Sequence, residues 1–131
     1  MAHRPSDYWR QCVADDNARV ASGERDRAYA AELFPEALLT DTHIALSAFE
    51  ADLRWLDPTS ADDVFTIIER IVLDLNRVNA AHGGAAYETD ERERLCGYIE
   101  ATLHEAGVDL DAVAQTRRLT RHEITNEWRN W

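Results

Sequence analysis

The chain has 131 residues, and its 25 acidic side chains against 14 basic ones set a formal net charge of −11. That balance argues against direct contact with nucleic acid or an anionic membrane surface, since both need a basic face. A chain of this length suits one domain that buries roughly two-thirds of its unfolded surface, so neither disulfide nor metal is required for folding.

Ser6 and Asp7 can cap a helix over 8–21, ended by Gly23, although its apolar stripe of Tyr8, Cys12, Val13 and Val20 is weak. A second helix is expected over 24–34, stopped near Pro35. A third, over 41–56, has a clear face of Ala45, Ala48, Phe49, Leu53 and Leu56, widened by Ile44, Ala51 and Trp55. Pro58 keeps Asp57 out of the helical region, and Ser60 then caps a long helix over 61–81. Val64, Ile68, Ile71, Leu75 and Val78 form its stripe, Asp62 and Asp63 complement the dipole of its first turn, and Gly83-Gly84 stop it after His82. Thr89 is the expected cap of the next helix, over 90–106, with Asp90, Glu91 and Glu93 at its start and Leu95, Ile99, Thr102, Leu103 and Ala106 facing inward. Gly107 ends it, and Val108 supplies the apolar contact of a glycine C-cap. One or two helical turns over 109–114 and a last short helix over 123–130, capped by Thr125, complete the reading.

These elements predict an all-α fold, a helical bundle of five or six helices in a single domain over 1–131. The pattern is sharpest over 60–131 and weakest over 1–40. No alternating strand pattern, internal repeat or low-complexity tract is visible. All 14 basic residues are arginine, which together with abundant alanine fits the codon bias of a GC-rich genome. Cys12 and Cys96 are few and far apart, which favours a reducing compartment. No apolar run has the length to cross a membrane and no signal-type N-terminus is present, so a cytoplasmic location is expected.

Three segments carry a resemblance. Leu75-Asn76-Arg77-Val78-Asn79 with His82-Gly83-Gly84, then Glu88-Thr89-Asp90-Glu91-Arg92-Glu93, then Ile124-Thr125-Asn126-Glu127-Trp128-Arg129-Asn130-Trp131, resemble a pattern in small bacterial proteins of unknown function. The resemblance covers roughly the last seventy residues. It implies a bacterial origin and one structural unit over 60–131, and it carries no function over.

Three places could carry chemistry. Asn76, Asn79 and His82 lie along one line at a helix end, with Tyr87, Glu88 and Arg92 just past the glycines. Such a group can bind a small polar ligand or a partner's backbone. The simpler account is that the asparagines, which are poor residues inside a helix, bond the following loop and hold the turn shut. Glu100 and His104 stand four apart on one helix and could touch a metal. With no further ligand pair, and no second histidine after His104-Glu105, a surface ion pair is the plainer expectation. Trp128 and Trp131 share a face of the expected last helix and could anchor a partner or a second copy, or dock on the bundle and close its core.

No nucleophile elbow, phosphate loop or dinucleotide fingerprint occurs. The functional expectation is therefore a non-enzymatic acidic interaction protein (an inhibitor, an immunity-type protein or an adaptor) that binds a basic protein partner. It would use no metal and no cofactor. The alternative is a small-ligand binding protein, or an unrecognised enzyme, built on Asn76, Asn79, His82, Tyr87 and Arg92.

Overall fold

A computed structural model describes residues 2–131. Six α-helices follow one another: α1 Pro5–Ala21, α2 Ala30–Leu33, α3 Glu36–Leu53, α4 Ala61–Ala81, α5 Thr89–Glu105 and α6 Leu110–Gln115, with a 3₁₀ turn at Arg121–Glu123. No strand occurs among the described residues, so the expected all-α bundle is the fold.

α3 and α4 form the most extensive helix pair, and α1 lies across α3 and α5. The interior is one cluster of apolar side chains that begins at Trp9 and ends at Trp131. Leu46, Phe49, Val64, Ile68, Leu75, Leu95, Ile99 and Leu103 are all buried within it. Ten or more such side chains, at ~1.5–3 kcal/mol each, supply the main driving force of folding.

The long central helix has the predicted ends. The Ser60 hydroxyl accepts from the Asp63 N–H at 3.2 Å. At the other end Gly84 N–H reaches back to the Asn79 carbonyl at 2.8 Å, and Gly83, at φ +95°, takes the left-handed conformation that this closure needs. α5 ends in the same way. Gly107 N–H bonds the His104 carbonyl, Val108 N–H bonds the Leu103 carbonyl, and Val108 is buried.

Elsewhere the boundaries shift, each for a visible reason. α1 begins at Pro5, not at Tyr8, because proline is already set for a first helical turn. Ser6 does not cap it; the side chain is buried and its hydroxyl lies 3.0 Å from His43 Nδ1. The helix expected over 24–34 shrinks to α2. Asp16 takes the N–H groups of Tyr29 and Ala30, at 2.5 and 2.9 Å, and pairs with Arg25, which folds the loop back on α1. Pro35 starts α3 rather than merely ending what precedes it, so α3 begins five residues earlier than expected and ends at Leu53. Glu88, not Thr89, is the N-cap of α5.

The helix expected over 123–130 is absent. Thr120 and Glu123 make a reciprocal capping box around the short 3₁₀ turn, and the chain goes on in isolated turns, with Asn126 N–H on the Glu123 carbonyl and Arg129 N–H on the Thr125 carbonyl, rather than in a further helix. Thr125 caps nothing; it is buried, with its hydroxyl 3.8 Å from Cys96 Sγ. No helix among the described residues is long and apolar enough to cross a membrane.

Candidate functional site

The end of α4 fixes the first group of side chains. Asn79 is buried, its Nδ2 donates to the Gly84 carbonyl at 3.2 Å, and its Oδ1 accepts from Ala86 N–H at 2.9 Å. Both ends of the amide are spent on the loop. Asn76, one turn earlier, does the same for the distant C-terminal segment: Nδ2 donates to the Trp128 carbonyl at 2.7 Å and Oδ1 accepts from Asn130 N–H at 3.2 Å. His82 Nε2 lies 2.8 Å from Asp41 Oδ2 and ties the end of α4 to α3.

Tyr87 sits at the centre of the joint. Its phenol meets the Thr42 hydroxyl at 2.5 Å, in a buried contact. Its ring stacks on Trp9 at 6.2 Å and meets Trp131 edge-on at 5.7 Å. Trp9 stacks in turn on Phe34 at 5.3 Å, with planes only 8° apart. Trp131 is therefore part of the interior, 8% exposed, while Trp128 is half-buried against the Phe65 ring. The two tryptophans share no helix face, because that segment is not helical. Arg92 has no side-chain hydrogen bond or ion pair among the described residues, and the buried Trp131 Nε1 has no partner either.

With both carboxamides occupied, Asn79→Ala should destabilise the chain by about 2 kcal/mol, through two lost hydrogen bonds and an unpaired Ala86 N–H. Urea unfolding monitored by circular dichroism measures it. An unchanged midpoint would return Asn79 to the pool of free binding groups.

The Glu100–His104 pair does not form. Glu100 Oε1 turns to Arg121 Nε at 3.4 Å and His122 Nδ1 at 3.1 Å, and His104 is exposed. Among the described residues no three His, Cys, Asp or Glu side chains converge to hold a metal.

A polar cluster escaped the sequence reading because it joins three helices. Glu50 accepts from Arg4 Nε and from the Tyr98 hydroxyl, both at 2.5 Å. Burial pushes the Glu50 carboxyl up, but the Arg4 and Tyr98 hydrogen bonds and the Arg4 charge outweigh it and hold the group below its usual range. Arg4 Nη1 also lies 2.7 Å from His43 Nε2. A guanidinium only donates, so Nε2 is the acceptor and the ring proton sits on Nδ1, facing Ser6. His43 thus donates to the Ser6 hydroxyl and cannot take its proton, which leaves Ser6 without the base a nucleophile needs. Cys96 is equally quiet, its thiol pushed up by burial.

The chain matches no model of a known protein family, no curated protein and no solved structure.

One accessible cleft, of about 550 Å³, lies between α1, the α2 segment and the start of α5. Tyr8, Trp9, Leu33 and Phe34 line its apolar side; Asp90, Glu91 and Glu93 line the other. Leu33 is 61% and Tyr8 45% exposed, which is high for residues of this type. None of the three acids has an ion-pair or hydrogen-bond partner among the described residues. Elsewhere carboxylates are commonly paired, as in Glu36 with Arg10 and Asp52 with Arg70. The Arg94 guanidinium lies 3.8 Å over the Tyr8 ring, so an aromatic face of the cleft already holds one cation. The sequence placed Asp90, Glu91 and Glu93 at a helix start, but gave no sign that Tyr8 and Phe34 would stand opposite.

Proposed function

We propose that this chain is a non-enzymatic interaction module that takes a basic, partly apolar segment of a partner protein in the cleft between α1, α2 and the start of α5. The observation that carries this reading is the pairing of three unpartnered carboxylates with an exposed aromatic and aliphatic wall. An arginine or lysine side chain meets the acids, and a neighbouring apolar side chain covers Tyr8, Leu33 and Phe34. The net charge of −11 steers such a partner in from a distance and repels acidic competitors.

A synthetic amphipathic peptide of arginine and leucine is the probe, with titration calorimetry as the measurement. Binding should weaken steeply as salt is raised, because the contributing charges are solvent-exposed. The triple variant Asp90→Asn, Glu91→Gln, Glu93→Gln should lose about tenfold in affinity, from three exposed charge contacts of ~0.5 kcal/mol each. Asp62→Asn with Asp63→Asn, acids at the start of α4 that do not line the cleft, should leave affinity near that of the unaltered chain. Equal affinity for the triple variant and the unaltered chain would place binding elsewhere and sink the proposal.

A further inference from the structure

The start of α5 sets up an ion pair that the structure does not make. Asp90 and Glu91 stand four and three residues before Arg94 on one helix, the spacing and order in which an acid and an arginine meet best. On α4 the same arrangement closes, Asp74 pairing with Arg77 three residues on. Arg94 instead turns away from its acids. Its guanidinium lies 3.8 Å over the ring of Tyr8, on the neighbouring α1, and both residues line the acidic cleft. It makes no ion pair or hydrogen bond among the described residues. The Tyr8 hydroxyl makes no hydrogen bond among them either, so the ring alone holds Arg94.

We propose that Tyr8 is a positioning residue of the cleft: its ring keeps Arg94 off Asp90 and Glu91, and so leaves those carboxylates open to the cation of a basic partner. This role rests on the reading of the cleft as the binding site. Arg94 has two stations. On the Tyr8 ring it leaves the wall of the cleft acidic. On Asp90 and Glu91 it takes the place of the partner's arginine or lysine and shuts most of that wall.

The two stations are closely matched. A cation over an exposed ring and a pair of helix-surface ion contacts are of similar worth, so a single ring decides where the guanidinium rests. The affinity a partner meets is its intrinsic affinity scaled by the fraction of chains with the acids open. Without the ring, Arg94 has only the acids to turn to, and that fraction falls.

Titration calorimetry of the arginine–leucine peptide against Tyr8→Leu, with and without Arg94→Gln, is the test. Both altered side chains are exposed, so the variants fold. Tyr8→Leu should weaken binding about threefold more in the unaltered background than in chains carrying Arg94→Gln, because only there does a displaced guanidinium fall onto the acids. Whatever the ring gives the partner directly is lost in both backgrounds and cancels. Tyr8→Phe keeps the ring and should bind as the unaltered chain does. Equal losses in the two backgrounds overturn the role of Tyr8 and leave the cleft as the binding site. A peptide that binds none of these chains overturns the reading of the cleft, and the role of Tyr8 with it.

Discussion

Trp131→Ala should lower the unfolding free energy by about 4 kcal/mol, within the range for truncating a buried tryptophan. The residue is 8% exposed and its ring meets the Tyr87 ring edge-on, with the Arg129 guanidinium over its other side at 5.3 Å. Removing it opens a gap beside Tyr87 and Trp9 and leaves the Asn76 clamp holding a segment that presses inward only through Trp128 on Phe65 and through Ile124. One feature of the site works the other way. The indole Nε1 is buried and has no hydrogen-bond partner among the described residues, a cost of about 1–3 kcal/mol. Trp131→Phe keeps a ring against Tyr87 and removes that unpaired donor. Its net effect should therefore be small, within about 1 kcal/mol of neutral, as the lost ring area and the relieved donor offset. Guanidinium unfolding of the two variants side by side gives both numbers. Equal, small losses for Ala and Phe would show that the C-terminal segment does not close the core.

The contrast between α4 and the two ends of the chain shows which features a sequence can declare. α4 runs Ala61–Ala81 as expected, because each cause is local: Ser60 at the cap, a regular apolar stripe and two glycines at the stop. α1 hid its buried face because that face is partly polar. Pro5, Ser6, Trp9 and Asp16 are its buried residues, and Ser6 and Asp16 are tolerable there only because His43, Tyr29 and Ala30 supply partners. Those partners are 37, 13 and 14 residues away, beyond any helical spacing. The C-terminal segment fails as a helix for the same kind of reason. Asn76 takes the Asn130 N–H, which a helix would have turned to the Asn126 carbonyl, and its Nδ2 holds the Trp128 carbonyl. The asparagine pair was legible as an anomaly, and its loop-closing role was foreseen for Asn79. That Asn76 would bind the other end of the chain was not. Asp90 and Glu91 complement the dipole at the start of α5, as their place in the sequence predicts. Only the packing of α1 beside α5 turns it into one wall of a cleft.

Tyr87→Phe should reverse its effect on stability with pH. At neutral pH it should cost about 1–2 kcal/mol, since it leaves the fully buried Thr42 hydroxyl without the partner it has at 2.5 Å. In alkali the balance changes. Burial pushes the Tyr87 phenol up to about 12, with the Asp41 charge adding to the shift and the Thr42 hydrogen bond opposing it. In the unfolded chain the phenol titrates near 10. The folded state therefore holds this proton more tightly, and the resulting stability is complete below about pH 10 and is lost as pH rises through about 12. The loss approaches about 1.4 kcal/mol per pH unit and totals roughly 2–3 kcal/mol. Tyr98, raised in the same direction by burial and by its hydrogen bond to Glu50, adds to the decline in both proteins. The phenylalanine variant lacks the Tyr87 share of it. Its stability curve should lie below that of the unaltered chain at pH 7, converge with it above about pH 10 and meet or cross it by about pH 12. Guanidinium midpoints at a series of alkaline pH values measure the gap. A constant gap would mean that the Tyr87 phenol titrates alike in the folded and unfolded chains, and that the Trp9–Tyr87–Trp131 joint opens to water without unfolding the rest.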